Sequence, residues 1–153
     1  MRISLMHEHL SKNLENVLRV AEDIARSYDR EYVGTEHLLL GIARQTGSTG
    51  GEILARRKLT PAKLRKQVDE LLAKSMEDTW VFGRLPGTPH FRNVMAKAIE
   101  QARAADSKVV QTHHLLLGLL AEKGSVAQAT LASLKVGAKD IRQEAAKLNR
   151  IEE

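Results

Sequence analysis

The sequence contains an internal repeat with a period of 77 residues and no gap, and this repeat limits the folds that the chain can adopt. The segments VGTEHLLLGI at 33–42 and VQTHHLLLGL at 110–119 lie one period apart. Residues 11–76 aligned with 88–153 share 20 identities in 66 positions, where composition alone gives about five. A repeat of this length is one supersecondary unit that is too small to bury its apolar face alone. The sequence therefore predicts two related halves packed against each other.

Composition narrows the fold class to all-α. The chain has 153 residues, of which 42% are hydrophobic but only 3% aromatic, and it has three prolines, a balance that favours close-packed helices over a sheet. It has no cysteine, which excludes disulfides, thiolate metal sites and cysteine nucleophiles. We expect a single domain over 1–153, with repeat one at about 11–74, a linker at about 75–87 and repeat two at about 88–150.

Apolar periodicity and capping signals predict eight helices, four in each copy. The first helix of each copy has alanines four apart, Ala21/Ala25 and Ala98/Ala102, a spacing that lets another helix cross closely. The second helices are expected at about 36–45 and 113–122, the third helices after capping boxes, and the fourth after Thr60 and Gly137. The predicted N-caps of the second and third helices are Thr35, Thr112, Thr49 and Ser125.

The segment SMEDTWVFGRLPG at 75–87 has no helical period and contains Gly and Pro, which is typical of a linker. Trp80 and Phe82 are unusual there. One interpretation is that they anchor the segment over the groove between the repeats. The other is that they form an exposed anchor for a partner, because aromatic side chains are frequent at binding hot spots.

The duplicated T-[EH]-H-L-L-L-G segment, the Ala-x-x-x-Ala helices before it and the Thr88-Pro89 start of the second copy resemble the amino-terminal repeat domain of the Clp/Hsp100 unfoldases. The similarity is to the ClpC/ClpA branch and covers about residues 10–150. The resemblance implies a compact eight-helix pseudo-dimer that sits on a ring-shaped ATPase, docks adaptors and substrate proteins, and performs no chemistry itself.

One motif that such unfoldases need is missing from the sequence. No G-x-x-x-x-G-K-[ST] phosphate loop occurs anywhere, so this chain is not expected to hydrolyse nucleotides. It is interpreted either as the docking domain of a longer unfoldase or as a free-standing accessory protein that binds a Clp protease complex. The expected partners are adaptors, substrate proteins or Clp ATPase and protease subunits. No cofactor is expected, and the cytoplasm is the default location because no transmembrane or signal segment is recognised. A monomer is expected, because a pseudo-dimer needs no second chain to cover its core.

Candidate binding residues lie at the starts of the second helices. Thr35, Glu36, Thr112 and His113 are placed where unpaired N–H groups attract anions. By resemblance to ClpC relatives, Glu36 would hold the guanidinium of a phosphoarginine and Thr35 would lie beside its phosphate. His113 replaces that carboxylate in the second copy and cannot hold a guanidinium in the same way. The alternative is that the threonines are caps and Glu36 favours its helix dipole. Arg92 is a further candidate contact, because it lies in the region that resembles the groove between the repeats of this family.

The other polar clusters are interpreted as structural. His37 and His114 precede apolar residues and are expected to be hydrogen-bonded packing histidines, not catalytic or metal-binding ones. His7-Glu8-His9 lacks a third well-placed ligand for zinc.

A helical nucleic-acid binder is the rival function from another class. It depends on the basic run Arg56-Arg57-Lys58 with Lys63, Arg65 and Lys66. The counterpart of this run in the second copy, Ser133-Leu134-Lys135, is nearly uncharged, and the net charge of +5 arises from 24 basic and 19 acidic residues that are well interspersed. Both features argue against nucleic acid as a partner.

Overall fold

The computed structural model describes residues 9–30, 33–82, 88–148 and 151–152, except that the side chains of 74–82, 88 and 89 lie outside the description. Those residues form eight helices, four from each copy of the repeat, which confirms the predicted all-α fold. Repeat one contributes α1 (Lys12–Ser27), α2 (Thr35–Arg44), α3 (Thr49–Arg56) and α4 (Pro61–Phe82). Repeat two contributes α5 (Thr88–Ala104), α6 (Thr112–Ala121), α7 (Val126–Ser133) and α8 (Ala138–Leu148).

The predicted linker needs a correction at its first residues. Helix α4 continues to Phe82, so residues 75–82 are helical although their apolar spacing is irregular. The first residue in this stretch that strongly breaks a helix is Gly83. The regular apolar spacing of α4 therefore ends before the helix itself does. The predicted roles of the Trp80 and Phe82 side chains lie outside the described residues.

The two halves share one hydrophobic core. The buried cluster contains α1 and α2 residues such as Leu14 and Leu39 together with α5 and α6 residues such as Met95 and Leu116. The two repeats also meet in the backbone, where the Val110 amide donates to His9 O at 2.7 Å and the Ser11 amide donates to Val110 O at 3.0 Å. Burial of apolar surface between the repeats is therefore part of folding itself.

Helix crossings within each repeat require a glycine. A Cβ added to Gly41 of α2 would lie 3.0 Å from Val17 O of α1, and one added to Gly118 of α6 would lie 2.7 Å from Val94 O of α5. Ala21 and Ala98 contact the same two glycines. The predicted crossing at the alanine pairs is thus found in both repeats, because small residues on each helix let the backbones approach.

The repeat is preserved in local backbone conformation. Asp29 and Asp106 both have a φ of 57°, and Lys58 and Lys135 have φ of 61° and 62°. These left-handed residues follow the first and third helices of each copy, where they end the helix and turn the chain. Within the described part of the chain, no helix is both long enough and apolar enough to cross a membrane.

Candidate functional site: two cross-repeat pockets

Thr35 and Thr112 do not cap their own helices, contrary to the prediction. The N-caps of α2 and α6 are Gly34 and Gln111, and each threonine is the first helical residue. Each hydroxyl instead reaches the third helix of the other repeat. Thr112 Oγ1 accepts from the Gly50 amide of α3 at 2.7 Å, and Thr35 Oγ1 accepts from the Ala127 amide of α7 at 3.2 Å. The duplicated threonines are therefore reciprocal caps across the repeat interface.

The third helices have serine N-caps in both copies. Ser48 Oγ accepts from the Gly51 amide at 2.9 Å, and Ser125 Oγ accepts from the Gln128 amide at 3.1 Å. The prediction of Ser125 is confirmed, whereas the prediction of Thr49 is wrong by one residue. The amide of Thr49, at the first position of α3, remains free to bind something outside its own helix.

The first cross-repeat pocket, site A, surrounds the carboxylate of Glu152, a residue that follows α8. Glu152 is 6% exposed and accepts five hydrogen bonds from three different helix starts. The shortest come from backbone amides, Thr49 N to Oε2 at 2.6 Å and Thr112 N to Oε1 at 2.7 Å. The others come from Thr112 Oγ1 at 3.0 Å, Asn13 Nδ2 at 3.1 Å and Ser11 Oγ at 3.2 Å. Site A is a pocket of hydrogen-bond donors.

The donors of site A favour the charged form of Glu152. Burial by itself raises the pKa of this carboxyl, but the Thr112 and Thr49 amides and the Asn13 and Thr112 side chains outweigh it, so the pKa lies below its ordinary value. The backbone of this segment is also fixed, because the Glu152 amide donates to Gln111 Oε1 at 3.0 Å.

A hydroxyl relay connects the pocket to His113. Thr49 Oγ1 lies 3.0 Å from Thr112 Oγ1 and 2.9 Å from His113 Nδ1. Because the Thr112 proton is directed at Glu152, the Thr49 hydroxyl donates to Thr112 and His113 Nδ1 donates to Thr49. Burial lowers the pKa of His113, and the Glu152 charge only partly offsets it. His113 therefore acts as a neutral donor in support of an anion site.

The second pocket, site B, lies at the equivalent place one repeat period away and contains Thr35, Glu36, His90 and Glu122. In both sites, two hydrogen-bonded side chains occupy the same pair of aligned positions. Gln45 Nε2 donates to Asn13 Oδ1 at 3.1 Å in site A, and Glu122 Oε2 lies 2.5 Å from His90 Nδ1 in site B. The neutral amide pair of one site is thus a carboxylate–imidazole pair in the other.

Glu122 is an unusually well-satisfied carboxylate. In addition to His90, it accepts from Lys97 Nζ at 2.6 Å and from Asn93 Nδ2 at 2.9 Å. Burial opposes its charge, but these three partners lower the pKa of Glu122 to about 2. The carboxylate is charged throughout the neutral range, and its charge is paired with the Lys97 ammonium.

Glu36 contrasts with Glu122, because one of its buried carboxylate oxygens lacks a hydrogen-bond partner among the described residues. Its side chain is 1% exposed, it folds back over Gly34, and Oε1 has no hydrogen-bond partner among the described residues. Burial raises the pKa of Glu36, although its own backbone amide, Arg30 and His90 counteract this. The neighbouring His37 Nε2 is likewise buried without a partner in this part of the chain. Two unsatisfied buried polar atoms in one place are rare in a native fold.

His37 and His114 have the predicted structural role. Nδ1 of His37 accepts from the Gly34 amide at 2.8 Å, and Nδ1 of His114 accepts from the Gln111 amide at 2.9 Å. Burial lowers the pKa of both to about 4, so both are neutral at pH 7 and hold the N-cap residue of their helix.

The sequence located four of the residues that form these sites but missed the rest. Thr35, Glu36, Thr112 and His113 lie at the two pockets, and Arg92 is exposed on α5 two residues from His90. Glu152, Glu122, Gln45 and Asn13 were not predicted. The available signal was the repeat itself, since Gln45 aligns with Glu122 and Asn13 with His90.

Among the described residues no group of three His, Cys, Asp or Glu side chains could hold a metal ion, and His7 and Glu8 lie outside them.

A groove of about 1130 Å³ opens beside site A. It is bordered by the end of α5, the following loop, α6, α8 and Ile151, and Gln111, His113 and Glu152 form part of its wall. Ile151 is 75% exposed at this position. The buried carboxylate of Glu152 is therefore next to a solvent-filled approach path.

One known protein family matches both repeats of the chain. The family described as "Clp repeat (R) N-terminal domain" matches residues 9–84 and 86–152. The ClpA homolog of Trieres chinensis, an "ATP-dependent Clp protease ATP-binding subunit", is 30% identical over 137 residues, which are 90% of this chain and 15% of that protein. The ClpC subunit of Staphylococcus saprophyticus is 28% identical over 143 residues, which are 94% of this chain and 17% of that protein. The chain thus spans about a sixth of the curated relatives that it matches.

A solved structure has the same fold. The N-terminal domain of the chaperone ClpD from Arabidopsis thaliana superposes with a TM-score of 0.66 at 20% identity, covering 93% of this chain and 98% of that one.

Proposed function

Because the chain belongs to the Clp repeat N-terminal domain family, we propose that it is a non-catalytic, cytoplasmic protein-binding domain that docks adaptors or substrate proteins for a Clp/Hsp100 unfoldase-protease. The observation that carries this proposal is the match of both repeats to the ATP-binding subunits of Clp proteases. Docking works by tethering, since a weak contact near an unfoldase raises the local concentration of the bound client. One chain suffices for this role, because each repeat covers the apolar face of the other.

Site B is proposed as the contact for a guanidinium group, in particular that of a phosphoarginine. Glu36 carries a buried carboxylate whose Oε1 lacks a hydrogen-bond partner among the described residues, whereas the charge of Glu122 is paired with Lys97. A guanidinium would satisfy the free Glu36 oxygen through a charge-assisted hydrogen bond. Thr35, whose hydroxyl caps α7, and the exposed Arg92 are proposed to lie close to the phosphate.

Binding of a fluorescent phosphoarginine peptide, measured by anisotropy, tests this assignment. Glu36→Gln keeps the shape of the side chain and removes its charge, so we expect at least a tenfold loss of affinity. His113→Gln at the equivalent position of repeat two is the matched control and should change the affinity less than twofold. An unchanged affinity of the Glu36→Gln protein would eliminate the guanidinium site.

A free-standing accessory protein that modulates a Clp protease complex is the second form of the same proposal. Capture of partners from a lysate of the source organism, identified by mass spectrometry, separates the two. Recovery of an ATPase ring or protease subunit favours the accessory protein, whereas recovery of many clients and adaptors favours a receptor domain.

Intramolecular ion pairs argue against the rival nucleic-acid function. Arg57 lies 2.8 Å from Asp140, and Arg56 lies 3.8 Å from Glu144, so two members of the basic run pair with α8. The guanidinium of Arg65 lies 4.6 Å from the ring centroid of Tyr28. Retention on duplex DNA that falls steeply with salt would revive this function.

A further inference from the structure

The strongest unexplained arrangement in the molecule is the burial of Glu152 in site A. A glutamate that follows the last helix would normally stay in water, because burying a carboxylate is costly unless the site is built for it. Here five donors satisfy its two oxygens, and two of the donors are helix-start amides from different repeats. Ser11 and Thr112, which contribute two of the hydroxyl donors, are themselves fully buried.

The donors of site A are positioned by the fold and not by Glu152. Ser11 is the N-cap of α1 and accepts from the Leu14 amide at 3.0 Å. Asn13 is oriented by Gln45, and the Thr112 hydroxyl is held by the Gly50 amide. With Glu152 removed, the same donors would still converge on the same point, and the first-turn amides of Thr49 and Thr112 would lack a partner.

We propose that site A is a binding site for an oxyanion on a partner peptide, a phosphate or a carboxylate, and that Glu152 fills it in cis as a built-in competitor. This proposal rests on the proposed docking function for its biological meaning. The side chains of site A suit an anion, because among the described residues its donors surround no carboxylate other than that of Glu152. Site B, in contrast, contains the carboxylates of Glu36 and Glu122. The groove beside Gln111, His113 and Glu152 provides the approach by which a partner exchanges with Glu152.

Because Glu152 belongs to the same chain as site A, it limits when a partner anion can bind there. A group attached to the same chain acts at a high effective concentration, so a free anion must be strongly favoured or the segment after α8 must be drawn away before it can bind. Exposed Ile151, next to Glu152 at the groove, gives a partner an apolar side chain to grip as the segment leaves. Site A is then self-blocked at rest and opens when a partner takes hold of this segment.

The test uses the full chain labelled with ¹⁵N and titrated with inorganic phosphate at constant ionic strength. In the natural protein the amide signals of Thr49 and Thr112 should barely move. In Glu152→Ala the same signals should shift to saturation, with an affinity for phosphate at least tenfold higher. Glu144→Ala removes the same charge from α8, outside site A, and should behave like the natural protein. A parallel titration with acetate shows whether site A prefers a phosphoryl or a carboxylate ligand.

Two further variants keep the test decisive. Glu152→Gln retains the size of the side chain and should also gain phosphate affinity, which covers the case in which the alanine variant is poorly folded. Adding Asn13→Ala to Glu152→Ala removes one donor and should weaken phosphate binding severalfold. The proposal is overturned if the Glu152 variants bind neither anion more tightly than the natural protein does. This outcome is independent of any Clp subunit, so it is distinguishable from a failure of the docking function.

Discussion

Sites A and B are built on the same duplicated framework, yet they contain different polar groups. Site A directs donors at a carboxylate, while site B has two carboxylates of its own, Glu36 and Glu122. The contacts that hold the framework are retained in both copies, namely a threonine that caps the opposite third helix and a histidine that holds its own N-cap residue. The side chains around the pocket have diverged. Duplication has thus kept the groups that satisfy backbone amides and changed the side chains around the pocket.

The divergence includes three aligned positions, which are Asn13/His90, Gln45/Glu122 and Glu36/His113. Two of these changes, Gln45/Glu122 and His113/Glu36, place a carboxylate in site B where site A has a side chain without a carboxylate. A pseudo-symmetric domain of this kind can present two non-equivalent recognition points without a second chain.

The largest expected difference between the sites concerns the reciprocal threonine caps. Thr112→Val removes the acceptor of the Gly50 amide, one donor to Glu152 and the partner of Thr49, and should cost about 3 kcal/mol of unfolding free energy. Thr35→Val removes the acceptor of the Ala127 amide and should cost about 1 kcal/mol. Urea denaturation of both variants measures the comparison.

Thr112→Ser is the control for this pair, because it restores the hydroxyl and should recover most of the loss. Equal losses in Thr112→Val and Thr35→Val would mean that the Glu152 network contributes nothing to stability beyond the cap.

The next expected difference concerns Gly50 and its counterpart Ala127. A Cβ on Gly50 would lie 2.9 Å from Ile42 Cγ2 and 3.0 Å from Thr112 O, so Gly50→Ala should destabilise the protein by about 2 kcal/mol despite the better helix propensity of alanine. Ala127 already carries that methyl group, and Ala127→Gly should cost about 1 kcal/mol. Thermal unfolding followed by circular dichroism ranks the two. A Gly50→Ala protein more stable than the natural one would show that the repeats can move apart at no cost.

The fold followed from the sequence because its signals are local and occur twice. The Leu triplets and the Ala-x-x-x-Ala helices each predict the same element in both copies. The errors occurred where local signals compete with contacts across the repeats. Thr35 and Thr112 have the residue type of an N-cap, but their hydroxyls satisfy amides 92 and 62 residues away in sequence. Spacing along one helix cannot reveal that choice.

The sites followed from the sequence only in part, for a related reason. The resemblance to a known family pointed to Glu36 and Thr35, but Glu152 has no counterpart in any motif, and its burial depends on three helix starts that converge only after folding. Glu122 was recoverable in principle, since it aligns with Gln45 and the divergence of an aligned pair marks a changed environment. Its low pKa could not be predicted, because His90, Asn93 and Lys97 reach it from a different helix.

The smallest expected effect concerns Glu36 and sharpens the distinction between a structural carboxylate and a functional one. Since burial raises the pKa of Glu36, the folded state binds its proton more tightly than the unfolded chain does. The stability gained from that proton is fully present below the ordinary pKa of 4.5 and is lost as pH rises through the folded pKa. At pH 7, Glu36→Gln should therefore be more stable than the natural protein by about 1 kcal/mol, and at pH 3 the two should be equal.

Glu122→Gln is the matched variant with the opposite sign. Its carboxyl has a pKa lowered to about 2, so its contribution is present above the ordinary pKa of 4.5 and is lost as pH falls toward 2. The variant should be less stable than the natural protein at pH 7, and the gap should narrow in acid. Urea titrations at pH 7 and pH 3 test both signs. If Glu36→Gln were destabilising at pH 7, Glu36 would be a structural group like Glu122. A stabilising Glu36→Gln that also loses the phosphoarginine peptide would identify a carboxylate kept for binding at the expense of the fold.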